Sequence, residues 1–252
     1  MFESKLHGPV SEIRMSHPPV NAIGPEFMEG LIGALNEAAQ ASRAIVLSGQ
    51  PGMFSAGLDI VAMSTMDREG IKHFWGLFFE MLRTIGASPV PIAAAITGHS
   101  PAGGAVMAIH CDYRVMMKGD WKIGLNEVQV GLVVPPQIQR VLVRLVGKYR
   151  AERLLVAGAL LSPESALDAG MVDQLADDYE TTIAGALDWC TRHASLPPNA
   201  MGRTRDMIRA DMKANYDDFD ETAREAFCDV WFSDETQQVM GQVLARLKAK
   251  SA

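Results

Sequence analysis

Residues 89–112 read PVPIAAAITGHSPAGGAVMAIHCD, and the sense of this stretch decides the fold. Pro89–Thr97 is an apolar run of strand character, AVMAIHCD reads as a helix, and the segment GHSPAGG, Gly98–Gly104, joins them. A serine at a strand-to-helix turn imitates the nucleophile elbow of a hydrolase, and Gly98 and Ala102 supply the small neighbours that such a turn needs. Pro101 does not fit. It removes the N–H of the residue after Ser100, the amide that a hydrolase of this type aims at its oxyanion. The paired glycines therefore call for another explanation.

Working outward, the same order of buried strand and glycine-containing loop occurs earlier, as RAIVLSG followed by QPGMFSAGLD. The helix DREGIKHFWGLFFEMLRTIG separates the two. Upstream, FESKLHG and VSEIRMS alternate as strands, and PEFMEGLIGALNEAAQ sets Phe27, Leu31, Ala34, Leu35 and Ala38 at helical spacing from a start near Pro25. Downstream come a short strand, YRVMM, and a loop-rich segment, WKIGLNEVQVGLVVPP, whose Pro135 and Pro136 suit the opening of the helix QIQRVLVRLVG. Ser162 caps a further short helix with Pro163 in its first turn and Gly170 at its end. From about residue 178 the pattern is helical only, broken at LPPN and DDFD. Strands alternating with helices imply an α/β fold, a mostly parallel sheet with helices outside it.

At 252 residues the chain is long enough to bury a sizeable core. The formal charge of −7, with no dominant Lys/Arg cluster, argues against nucleic-acid binding, because phosphate neutralisation needs a basic face. Cys111, Cys190 and Cys228 are odd in number and far apart, which speaks against a disulfide framework or a structural zinc site and for a reducing compartment. The start, MFESKLHGPV, lacks the apolar region of a secretory signal and the Arg-rich bias of a transit peptide, so a cytoplasmic protein is expected. The apolar runs fall well short of the ~20 residues that span a bilayer, and no membrane association is expected.

Two loops, FSAGLD (Phe54–Asp59) and SPAGG (Ser100–Gly104), place small residues after buried strands. Small residues let a ligand approach the backbone, and a loop entering a helix offers unpaired N–H groups to an oxygen that gains negative charge. Taken in order and spacing, FSAGLD, AAAITGHSPAGGAVMAIHCDYRVM and IGLNEVQVGLVVP resemble the crotonase (enoyl-CoA hydratase/isomerase) superfamily. HPPVNAIGPEF, PAGG, CDYR and GLNE resemble its Δ3,Δ2-enoyl-CoA isomerase branch. The resemblance implies the ClpP-like spiral of repeated ββα units over residues 1–197, with a helical cap or oligomerisation region at 198–252. It implies an acyl-CoA thioester as substrate, no separate cofactor, no metal, and a homotrimer, with a hexamer also open.

For the site, the resemblance implies an oxyanion hole formed by the backbone amides of Ala56 and Gly103, with Val20, Ala22, Gly57, Leu58 and Asp59 bordering the substrate. Hydratases of the superfamily use two glutamates, and aligning by motifs puts Val106 at the first position and Glu127 at the second. A valine transfers no protons, so the resemblance favours an isomerase working with Glu127 alone, in the oxidation of unsaturated fatty acids. Hydration, acyl-CoA hydrolysis and non-catalytic acyl-CoA binding are the alternatives. His110 and Asp112 belong to a segment of packing character, Asp59 is expected to tie down its loop, and Phe74, Trp75, Phe78 and Phe79 form a bulky helical patch beside the acyl chain or in the core.

Overall fold

The computed structural model describes residues 1–251; Ala252, the last residue of the anticipated tail, lies outside the described residues. The chain opens with an antiparallel pair, β1 (Phe2–His7) and β2 (Val10–Met15), and enters α1 (Pro25–Ala41). Three units follow in which a long buried strand leads into a short strand and then a helix. The first comprises β3 (Ala44–Ser48), β4 (Gly52–Met53), α2 (Ile60–Met63) and α3 (Arg68–Gly86). The second comprises β5 (Ile92–Ile96), β6 (Gly98–Pro101) and α4 (Gly103–His110). The third comprises β7 (Tyr113–Met117), β8 (Ile123–Gly124), a 3-10 turn (Glu127–Val130) and α5 (Pro136–Val146).

The long strands form one sheet in the order β1-β2-β3-β5-β7, parallel from β2 onward, and the short ones form a second parallel sheet, β4-β6-β8. Each unit climbs one step along both sheets, which is the expected ββα spiral. Beyond it come α6 (Lys148–Ala157), α7 (Pro163–Asp168), the edge strand β9 (Gln174–Ala176) and α8 (Tyr179–Ala194). The chain then continues through α9 (Pro198–Ile208), α10 (Ala210–Ala214), α11 (Glu221–Trp231) and α12 (Asp234–Ser251).

Alternation along the strands divides the interior. Ile45, Leu47, Ile92, Ala94, Ile96 and Met116 face the main core with α1, α3 and α4, whereas Val46, Ala93, Ala95 and Val115 face Ala186, Cys190 and Ala194 of α8. The tail shares the main core through Met212, Tyr216, Phe219, Trp231 and Met240. It is also pinned by Arg205 on Asp112 and by Arg209 donating to the His110 carbonyl, each at 2.8 Å.

Three strands, β4, β6 and β8, lie where the sequence reads as loop, and a fourth, β9, lies in MVDQLAD, which the sequence leaves unassigned. They are two to four residues long, too short for a hydrophobic period to register. Only ladder partners distant in sequence, such as Ser100 opposite Ile123 and Gly52 opposite Gly98, make them strands.

Candidate active site

The site is built where the loops after β4 and β6 meet. Asn21, buried and in the left-handed region at φ 51°, ties the first loop to the segment before α1. Its Nδ2 donates to the carbonyls of Met15 (3.1 Å) and Phe54 (3.0 Å), and its Oδ1 accepts from the His17 amide (2.7 Å). Ser55 Oγ donates to the Asn21 carbonyl at 2.7 Å and accepts from the Gly57 amide at 3.1 Å. The backbones then pair: Ile23 N–H to Gly57 O at 2.9 Å, and Asp59 N–H to Ile23 O at 3.0 Å.

This pairing corrects the expected oxyanion donor. The Ala56 amide donates to the Val20 carbonyl at 2.9 Å and is not available to a ligand. Gly57 and Asp59 are likewise engaged, so within FSAGLD the amide without an acceptor, among the described residues, is that of Leu58. Across from it, Ala102 turns sharply at φ 46° and α4 begins at Gly103, whose N–H is one of the unpaired donors of a helix start. The loops touch. A Cβ on Gly57, itself at φ 91°, would stand 3.1 Å from both the Gly103 nitrogen and Ala102 Cβ, and one on Gly104 would stand 2.6 Å from the Ser55 carbonyl. Here the glycines serve close approach of two backbones.

Glu127 opens the 3-10 turn, which ends at Gly131 in the left-handed conformation. Thr236 of α12 donates to the Gly131 carbonyl at 2.6 Å, holding the turn from outside. Glu127 is 8% exposed, and its Oε2 is buried with no hydrogen-bond partner among the described residues. Burial pushes its carboxyl up to about 7.

Glu127, Leu58 and Gly103 line one cavity of 520 Å³, together with Val20, Ala22, Ala56 and Asp59 from the anticipated set. Gly57 lies behind this wall, against Gly103. Asp59 caps α2, accepting from the Ala62 amide at 2.9 Å, so it ties down its loop as expected. Of the aromatic patch, Trp75 and Phe78 reach the cavity, while Phe74 and Phe79 belong to the core. Val106 is wholly buried on α4. Sequence reasoning missed Asn126, Ile138 and the α12 residues Val243 and Leu247, which also line the cavity. Adjacency to Glu127 could have flagged Asn126; nothing local marks the others.

Ser100 is fully buried and its Oγ has no partner among the described residues, so no base activates it. His110 Nδ1–H donates to the Val106 carbonyl (2.6 Å) and its Nε2 accepts from the Tyr216 hydroxyl, and burial lowers it to about 4, leaving it neutral. Burial pushes the Cys111 thiol up to about 12. Among the described residues no group of three or more His, Cys, Asp or Glu side chains could hold a metal ion. The chemical equipment is thus a single carboxyl near neutrality and two backbone donors in a cavity lined mainly by apolar side chains. Such a set can move a proton on a carbon next to a polarised carbonyl.

Known proteins carry the same arrangement of chain. Enoyl-CoA delta isomerase 1, mitochondrial, of Homo sapiens is 31% identical over 243 residues, covering 95% of this chain and 80% of that protein. The crystal structure of human mitochondrial delta3-delta2-enoyl-CoA isomerase superposes with a TM-score of 0.95 at 28% identity, covering 100% of this chain and 99% of that one. A Mycobacterium tuberculosis protein named "Probable enoyl-CoA hydratase EchA17" is 29% identical over 194 residues, 76% of this chain and 73% of its own. The sequence profile described as enoyl-CoA hydratase/isomerase matches residues 6–249, and with that match the chain belongs to this family, within the crotonase superfamily.

Proposed function

We propose that this member of the family is a Δ3,Δ2-enoyl-CoA isomerase that moves the double bond of a 3-enoyl-CoA to the trans-2 position, as an auxiliary step in the oxidation of unsaturated fatty acids. The observation that carries the reading is Glu127: one buried carboxyl, raised to about 7, whose Oε2 has no hydrogen-bond partner among the described residues, in the cavity that Leu58 and Gly103 also line.

Ionised Glu127 removes a proton from C2. The C2–H electron pair becomes the C1–C2 double bond of a dienolate, and the thioester oxygen takes the charge. The Leu58 and Gly103 amides donate to that oxygen, and because they are fixed by the fold they need no rearrangement as charge develops. Protonated Glu127 then returns the proton at C4. The C3–C4 pair forms the new C4–H bond, the C1–C2 pair becomes the C2–C3 double bond, and a lone pair of the thioester oxygen re-forms the carbonyl, so atoms and charge balance. A carboxyl near 7 is both ionised enough to start and basic enough to take a carbon-bound proton. By the motif resemblance, Val106 takes the place of one of the two glutamates of a hydratase, which favours isomerisation over addition of water. We propose a homotrimer as the working form and no cofactor beyond the CoA of the substrate.

The test is to incubate the pure protein with trans-3-hexenoyl-CoA and follow the ultraviolet absorption of the conjugated product. Conjugation is the expected result; no conjugation, with rapid hydration of crotonyl-CoA instead, refutes the assignment.

A further inference from the structure

We propose that Trp75 sets the length of acyl chain this site accepts. The inference rests on the acyl-CoA reading above and adds a substrate class to it. The cavity wall is graded: Val61 and Val133 are 54% and 57% exposed, whereas Trp75, Phe78 and Ile138 are 5%, 2% and 2% exposed. A hydrocarbon tail gains most from the dry end, and the polar CoA belongs at the wet one. The tail beyond C4 therefore runs toward α3, where the Trp75 indole is the largest side chain of the buried wall.

That wall does not yield easily. Trp75 is backed by Phe74, Phe78, Phe79 and, from α11, Phe227, with ring centroids at 5.9, 5.8, 6.3 and 5.5 Å. Its Nε1–H is buried and has no acceptor among the described residues. An unpaired buried donor weakens a fold, and a phenylalanine would join the same aromatic cluster without one. Stability alone thus does not account for a tryptophan here. Its bulk, which shortens the dry end, does.

The experiment measures kcat/KM for unbranched trans-3-enoyl-CoAs from six to fourteen carbons with the wild type and with Trp75→Phe, Trp75→Leu and Trp75→Ala. For the wild type, kcat/KM is expected to rise with each methylene until the tail meets the indole, and then to fall. Each methylene newly admitted is worth roughly fourfold in kcat/KM. The fourteen-to-six-carbon ratio is therefore expected to rise by at least about tenfold in Trp75→Leu and Trp75→Ala, and by less in Trp75→Phe. Because Trp75→Ala removes part of an aromatic cluster and its fold is at risk, Ile138→Phe supplies the opposite perturbation, narrowing the same end and lowering the ratio. An unchanged ratio in folded Trp75→Leu and Ile138→Phe overturns the proposal. So does a shift in Trp75→Phe equal to that in Trp75→Ala, which would trace selectivity to the N–H rather than to size. Should the wild type turn over none of the series, the isomerase reading fails. Calorimetric affinities of saturated acyl-CoAs of the same lengths then decide on Trp75 alone: a length optimum that moves with the substitutions sustains the gauge, and one that stays fixed overturns it.

Discussion

A carboxyl held uncharged by burial weakens the fold that buries it, and Glu127→Gln separates that cost from the catalytic role proposed for it. An ordinary glutamate near 4.5 becomes one near 7 at Glu127 because burial disfavours the charge. Below 4.5 both folded and unfolded chains hold the proton. Between 4.5 and 7 the unfolded chain releases it while the folded chain keeps it, so this group makes stability fall as pH rises through that window. Above 7 both are ionised and the dependence is flat. At about 1.4 kcal/mol for each pH unit, the window amounts to roughly 3 kcal/mol. Glu127→Gln removes the titrating group. Its stability relative to wild type, from urea unfolding followed by tryptophan fluorescence at fixed protein concentration, is expected to rise by about 3 kcal/mol from pH 4 to pH 8. The same variant is expected to lose isomerase turnover by about 10² to 10⁴, while wild-type kcat/KM climbs with pH and levels off above about 7. A stability difference independent of pH, or one that changes in the opposite direction, refutes the idea that this carboxyl is held near neutrality by burial.

Replacing the Leu58 amide by an ester through semisynthesis is expected to cut kcat by about 10² to 10³, whereas the same change at Ala56 lowers unfolding stability and leaves kcat close to wild type. Gly57→Ala should abolish turnover, since the residue sits at φ 91° and the new methyl meets the Gly103 nitrogen at 3.1 Å; full activity in that variant would mean the loops do not abut as described. Asn21→Ala, by freeing the Met15 and Phe54 carbonyls and the His17 amide, is expected to cost about 2 to 4 kcal/mol of stability in denaturant titration. Its kcat should fall more than KM rises, because the loop that presents Leu58 loses its anchor. Ser100→Ala should leave kcat within about threefold and be neutral to stability, as it removes a buried hydroxyl that has no partner.

The sequence by itself determined the long elements and, through its family resemblance, singled out Glu127. The continuous apolar run in RAIVLSG, the helical spacing on α1 and the proline openings of α5 and α7 are local signals, and the structure honours them because each depends only on residues of its own element. Glu127 was legible from IGLNE, and its cavity position agrees with that reading. Which amide of FSAGLD remains free was not legible. Neighbouring N–H groups are chemically alike, and the choice of Leu58 over Ala56 follows from the Val20 carbonyl, thirty-odd residues away, claiming one of them. The dry end of the cavity, assembled from α3 and α5, is likewise a product of packing between elements far apart in the chain. Local patterns encode what a segment prefers; the pairing of donors and the shape of a cavity belong to contacts that exist only once the segments have met.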